Sequence, residues 1–167
     1  IGHYVEAARI LKRDYGFRVE FSLLGFLDVN NPSAVSKTER EAWVDEGIIN
    51  YLGTTDKVEI AIAKADCMVL PSFYREGVPK SLLEAGAMGK PIVTTNNVGC
   101  RETVDDGING FLCEPRSTKS LVNALEKIIV MGHELRLNMG KKSREKIEKE
   151  FDENIVINKY IDLIKTM

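Results

Sequence analysis

Two glutamates, Glu76 and Glu84, are the side chains whose type and spacing best suggest chemistry. They flank the start of a helix predicted for residues 79–88, which follows a buried strand predicted for residues 67–70. At about 1.5 Å of rise per helical residue, the two carboxylates lie further apart than a hydrolase pair that shares one bond. A carboxylate accepts two hydroxyl hydrogen bonds at once, as a ribose diol or a sugar requires. The spacing predicts contacts with different parts of one long ligand, although by itself it also fits a solvated pair.

The loop between the predicted strand and helix has the features of an anion site. In parallel sheets, ligands bind beyond the carboxyl ends of the strands. The amides and the positive end of a helix start attract phosphate oxygens. Gly77 lets the backbone approach a ligand, and Pro79 suits a first helical turn because its missing donor is not needed there. This loop is therefore predicted to bind phosphate.

The elements around the loop predict an α/β fold. Short apolar runs alternate with segments of helical periodicity and predict strands at residues 17–24, 48–52, 67–70, 92–95 and 110–113. Thr38 and Glu41 have capping-box spacing, Asp56 is predicted to begin another helix, and Val156, Tyr160 and Leu163 form the apolar stripe of the last helix. The pattern predicts one Rossmann-like, doubly wound parallel sheet with helices on both faces, and a single domain over residues 1–167.

Composition narrows the class of protein. The 167 residues include 44% hydrophobic and 29% charged residues, which is typical of a folded domain. With 23 basic and 25 acidic side chains, the net charge of -2 argues against nucleic acid as a partner. No apolar run is long enough to span a bilayer. The three cysteines, Cys67, Cys100 and Cys113, lack metal-site spacing and are expected to be buried thiols in a reducing compartment, which favours the cytoplasm.

The segment PSFYREGVPKSLLEAGAMGKPIVTT at residues 71–95 resembles the donor-binding signature of the GT4-type retaining glycosyltransferases. The signature has Pro-Ser after a strand, Glu-Gly, a proline and a second glutamate after seven residues. An Ala-rich helix and a Gly-x-Pro-hydrophobic strand follow, and all of these stand here in order. Residues 98–102, residues 106–112 and the closing helices from Phe151 to Tyr160 continue the likeness. The resemblance implies the C-terminal, donor-binding half of a GT-B fold.

The resemblance also implies roles for residues near the sugar and the phosphates of a nucleotide-sugar donor. Glu76 would be the catalytic residue, because it would meet the donor sugar and stabilise positive charge as the glycosidic bond breaks. The amides of Gly77 and Val78 would reach sugar hydroxyls. The diphosphate would be faced by three residues at the helix start: Lys80, Ser81 and Leu82.

The nucleoside end of the donor would meet a second group of residues. Glu84 would bind the ribose hydroxyls, while Gly25 and the Leu52–Gly53 turn would lie near the base. Departure of the nucleoside diphosphate would be assisted by preoriented donors in a dry cleft. No Asp-x-Asp or other metal cluster is present in the sequence, so neither a metal nor a cofactor is expected.

The implied reaction is transfer of a hexosyl or N-acetylhexosaminyl group, with retention, from a UDP-linked donor to a glycan acceptor. A loop with Asp28, Asn30, Asn31 and Pro32 resembles that of transferases that extend polyprenyl-diphosphate-linked saccharides. This suggests bacterial surface-polysaccharide synthesis, with peripheral association of the full-length protein at the inner face of the membrane.

In the family, the donor-binding half opens with a strand and a Gly-Arg-x-x-x-x-Lys-Gly stretch whose arginine and lysine bind the diphosphate. The chain starts at about the residue after that lysine. We therefore expect a domain truncated at its N-terminal edge, with the N-terminal acceptor domain absent. By itself it should not catalyse transfer, and it should bind nucleotide weakly or not at all.

Three other functions are alternatives to sugar transfer. A GT-B-like epimerase would need further acid and base groups near the sugar, and a phosphorylase would need a cofactor lysine; neither is evident. A non-catalytic nucleotide-binding domain is the alternative from another class, and transfer that survives loss of Glu76 would favour it.

Overall fold

A computed structural model describes residues 1–25, 35–74 and 77–166. Helices and strands alternate along this part of the chain. In chain order they are α1 (Gly2–Tyr15), a 3₁₀ turn (Gly16–Arg18), β1 (Ser22–Leu23), α2 (Lys37–Asp45), β2 (Asn50–Tyr51), α3 (Val58–Lys64), β3 (Met68–Leu70), α4 (Lys80–Ala87), β4 (Ile92–Thr95), a second 3₁₀ turn (Arg101–Thr103), β5 (Gly110–Cys113), α5 (Thr118–Val130), α6 (His133–Glu150) and α7 (Glu153–Lys165).

All strand pairs in the described residues are parallel, as predicted, but they form two sheets rather than one. β1 pairs with β2, and β3, β4 and β5 form a second sheet in that order. Leu70 stands opposite Thr94, and Ile92 stands opposite Gly110. The carboxyl ends of β3, β4 and β5 therefore meet at one edge, where the loops that carry chemistry begin.

Helices cover both faces of the three-stranded sheet, which confirms that prediction. Val93 and Phe111 point into a core formed with α1 and α5, and these two helices also pack on each other. Ile92 and Leu112 point to the opposite side, into a second core with Leu82 of α4. α4 in turn packs on α6. Because both faces are covered, all four residues of β4 are buried without alternation, and its predicted bounds are correct.

The strand predicted for residues 17–24 is wrong over most of its length. Gly16 ends α1 with a φ of 61°, and the chain continues as a 3₁₀ turn. That turn leaves Phe17 97% exposed, whereas Phe21 is buried against the ring of Tyr4. Only Ser22–Leu23 pairs as a strand. The segment predicted as one strand therefore contains the end of a solvent-facing turn and, after it, a short strand.

Two predicted helix starts are also corrected. Ser36, not Thr38, caps α2: its hydroxyl accepts the Glu39 amide at 3.2 Å, and the Glu39 carboxylate accepts the Ser36 amide at 3.1 Å. α3 begins at Val58 rather than at Asp56. In the turn before it, the Lys57 amide donates to the Thr55 hydroxyl at 3.0 Å.

The last helix carries its predicted apolar stripe, but the stripe is not in the core. Val156, Tyr160 and Leu163 are all exposed, and α7 has no buried residue. In the described part of the chain, no helix combines the length and the apolar character that crossing a bilayer requires. Cys100 and Cys113 are buried, as predicted, whereas Cys67 is only partly buried. Burial raises the pKa of the Cys113 thiol to about 11.

Candidate functional site

Two glycine turns come together where β1 and β2 end. The Gly25 amide donates to the Gly53 carbonyl at 3.0 Å, and the Tyr51 hydroxyl donates to the Gly25 carbonyl at 2.8 Å. Gly53 has a φ of 74°, a conformation that favours glycine. The Leu52 side chain beside it is half exposed. The structure thus brings together the three residues predicted to lie near the base.

The start of α4 supplies amides without a side-chain cap. Pro79 is the N-cap residue rather than the first helical residue, and its carbonyl accepts the amides of Leu82 and Leu83 at 3.0 and 3.3 Å. The Leu82 side chain is fully buried in the core. The amides of Lys80 and Ser81 precede the first intrahelical donors, so these are the two that geometry leaves for a ligand.

Glu84 lies on the face of α4 that turns toward α3. Its carboxylate is 3.4 Å from the ammonium of Lys80, one turn earlier, and the side chain is 38% exposed. The Lys80 side chain is 89% exposed, so this pair is easily exchanged for a ligand. Lys80, which is predicted to face the phosphates, and Glu84, which is predicted to bind the ribose, are therefore neighbours.

A cavity of about 440 Å³ between α3 and α4 connects these groups. Thr55 and Asp56 line it from the loop after β2, Glu59 and Ile62 from α3, and Lys80 and Glu84 from α4. Among the described lining residues, three carboxylates face one ammonium. The negative charge of this lining suits the hydroxyls and amide groups of a nucleoside better than the phosphates of a nucleotide. The phosphates are favoured at the start of α4 instead. Sequence reasoning missed Thr55 and Asp56 as lining residues.

The sugar side of the predicted site is only partly described. Glu76 lies outside the described residues, as does the loop of Asp28, Asn30, Asn31 and Pro32. Gly77 is exposed, and a Cβ built on it meets no heavy atom within 4 Å, which leaves open space beside its backbone. Val78 is partly buried next to it.

Side chains from β4 and the loop after it contact the segment that leads to Glu76. Thr94 and Thr95 donate to the carbonyls of Leu70 and Ser72, and Asn97 donates to the carbonyl of Tyr74. None of these three side chains was predicted from the sequence. Among the described histidines, cysteines and acidic residues, no group of three is placed to hold a metal ion.

Comparison with known proteins shows the family to which the chain belongs. The family model described as "Glycosyl transferases group 1" matches residues 2–130. The chain is 31% identical over 163 residues to N,N'-diacetylbacillosaminyl-diphospho-undecaprenol alpha-1,3-N-acetylgalactosaminyltransferase of Campylobacter jejuni, covering 98% of the chain and 40% of that protein. It is 27% identical over 182 residues to the amylovoran biosynthesis glycosyltransferase AmsK of Erwinia amylovora, covering the whole chain and 42% of that protein. The chain thus spans about two fifths of the length of these relatives.

A crystal structure of Anabaena HepE in complex with UDP has the same fold. It superposes with a TM-score of 0.72 at 16% sequence identity, covering 97% of this chain and 53% of that one. The likeness extends over nearly every element described above.

Proposed function

The chain belongs to the group 1 glycosyl transferases, and we propose that it is the donor-binding domain of a retaining hexosyl- or N-acetylhexosaminyltransferase of the GT4 type. The observation that carries the proposal is the cavity between α3 and α4, which joins Glu84 to the uncapped start of α4. The nucleoside occupies this cavity, with its ribose diol on the Glu84 carboxylate. The diphosphate lies against the amides of Lys80 and Ser81, where the helix start favours negative charge.

The proposed donor is a UDP-linked sugar. Bound UDP in the HepE structure supports this nucleotide, and the name of the Campylobacter relative supports an N-acetylhexosamine as the sugar. The base lies near the turns of Gly25 and Leu52–Gly53, next to the half-exposed Leu52 side chain. No metal or cofactor takes part in the proposed reaction, since helix amides and side chains stabilise the leaving group.

The proposed acceptor is a glycan carried on a polyprenyl diphosphate, in bacterial polysaccharide synthesis at the inner face of the membrane. The names of the Campylobacter and Erwinia relatives support this class of acceptor and pathway. A parent protein as long as those relatives would have about three fifths of its length outside this chain. We propose that this other part binds the acceptor. We therefore expect transfer from a protein of that length and none from this chain by itself.

Glu84→Gln in the parent protein tests the proposed site. Glutamine keeps the shape but loses the charge, and a hydrogen bond to a charged group contributes about 1.5–3 kcal/mol, so we expect UDP to bind roughly 10- to 100-fold more weakly. Isothermal titration with UDP measures this. Glu134→Gln, an exposed glutamate at the start of α6, is the matched control and should bind UDP like the unmodified protein. Equal UDP affinity in both variants would exclude Glu84 as the ribose ligand.

A further inference from the structure

The side chains that line the cavity between α3 and α4 differ in what they can offer a ligand. The carboxylates of Asp56, Glu59 and Glu84 accept hydrogen bonds and donate none. Four apolar side chains complete the described lining, namely Val58, Ile62, Ala87 and Met88. In this described lining, the side-chain donors are the Lys80 ammonium and the Thr55 hydroxyl. A base that enters the cavity therefore meets an apolar wall, many acceptors and few donors.

Of these two donors, Lys80 belongs to the phosphate end of the proposed site. Its ammonium lies 3.4 Å from the Glu84 carboxylate, at the helix start where the diphosphate is proposed to bind. Thr55 lies in the loop between β2 and α3, two residues after the Gly53 turn. The Gly53 carbonyl accepts the Gly25 amide at 3.0 Å, which ties this loop to the end of β1. Thr55 is thus the side-chain donor next to the proposed place of the base.

A backbone contact determines how the Thr55 hydroxyl can act. Its oxygen accepts the Lys57 amide at 3.0 Å, in the turn before α3. Its hydrogen has no acceptor in the part of the chain that the structure describes. The oxygen is therefore engaged, and the hydrogen is available for an acceptor in the cavity.

We propose that Thr55 is a specificity-determining residue whose hydroxyl donates to a carbonyl oxygen of the nucleotide base. This inference rests on the proposed function, because it takes the cavity as the nucleoside site. Uracil carries carbonyl oxygens and adenine carries none, so the contact favours UDP over ADP. A site that hydrogen-bonds one group of its ligand discriminates against ligands without that group.

Thr55→Val in the parent protein is the direct test, since valine keeps the shape of threonine and lacks the hydroxyl. From the usual contribution of one neutral hydrogen bond, we expect UDP to bind roughly 3- to 10-fold more weakly in isothermal titration. Thr55→Ser keeps both the donor and the acceptor for the Lys57 amide, and it should bind UDP within about twofold of the unmodified protein. Thr54→Val is the matched control, because Thr54 is exposed and is not among the described lining residues.

ADP separates a contact with the base from a general disturbance of the loop. Valine also removes the acceptor of the Lys57 amide, and a disturbed loop would weaken the binding of any nucleotide. Loss of the base contact weakens the binding of UDP alone. We therefore expect Thr55→Val and the unmodified protein to bind ADP within about twofold of each other, measured by displacement of UDP.

Three results would overturn the proposal. An unchanged UDP affinity in Thr55→Val would exclude the hydroxyl as a ligand. An equal loss of UDP and ADP affinity would assign its effect to the structure of the loop, and so would a Thr55→Ser variant as weak as Thr55→Val. Failure of the proposed function would appear separately, as unaltered UDP binding in Glu84→Gln.

Discussion

We expect the Glu76→Gln variant of the parent protein to lose most of its turnover while it still binds UDP. In the proposed mechanism, the Glu76 carboxylate stabilises the positive charge that develops on the donor sugar. Removing one preorganised electrostatic contact of this kind typically lowers kcat by about 10²–10³. The proposed contacts to UDP lie on Glu84 and on the amides of Lys80 and Ser81, so the affinity for UDP should stay within about twofold.

Release of UDP from a UDP-sugar, measured at saturating donor, checks this expectation. Glu114→Gln, an exposed glutamate after β5, is a suitable control because it carries the same change in charge. If Glu76→Gln retained full turnover, Glu76 would not be catalytic, and the alternative of a non-catalytic nucleotide-binding domain would be favoured.

Gly110→Ala should have a large effect on folding. Gly110 stands opposite Ile92 in the β4–β5 pair, and an added Cβ would lie 1.9 Å from the Ile92 carbonyl oxygen. That atom belongs to the backbone, so the clash is relieved only if β4 and β5 separate. Because overpacking against movable side chains already costs about 1–3 kcal/mol, we expect a loss of about 3 kcal/mol or more.

Thermal denaturation of three alanine variants of the chain measures this effect. Since a chain of this size loses about 2–4 °C per kcal/mol, Gly110→Ala should melt roughly 6–12 °C lower or fail to fold. In Gly86→Ala the new Cβ would meet the side chain of Ile147, which can move, so a smaller decrease is expected. Gly2→Ala has no atom within 4 Å of its Cβ and serves as the control. A melting temperature of Gly110→Ala equal to that of Gly2→Ala would contradict the strand register.

The sequence was most informative where burial alone determines structure. β4 and β5 are buried along nearly their whole length because helices cover both faces of the sheet, and their predicted bounds are correct. The run at residues 17–24 was misleading because its apolar character came from a buried Phe21 and a fully solvated Phe17. Periodicity cannot separate these two cases.

Capping signals were ambiguous for a different reason. Ser36–Glu39 and Thr38–Glu41 both satisfy capping-box spacing, and in the structure the first pair forms the cap. The stripe on α7 specifies an apolar face but not what covers it, and within the described chain its residues remain exposed. Helical periodicity therefore predicted the helix but not its burial.

The candidate site was predictable only in part. The Glu84 helix and the glycine turns stand out as local signals, since each depends on residues close in sequence. The contact of Asn97 with Tyr74 joins residues 23 positions apart, and its acceptor is a backbone carbonyl, which no residue type encodes. Thr55 and Asp56 were not predictable either, because they line the cavity only as a result of the packing of α3 on α4.

The most direct test of the donor-binding assignment is an NMR titration of this chain with UDP. Backbone amide shifts detect even millimolar binding, which corresponds to only about 4 kcal/mol. We predict weak, saturable shifts at the turn before the cavity, at the cavity and at the helix start, in Gly53, Thr55, Lys80, Ser81 and Glu84, that are lost in Glu84→Ala. Saturable shifts confined to other surfaces, or shifts at the cavity that persist unchanged in Glu84→Ala, would contradict the assignment of this domain as the donor site.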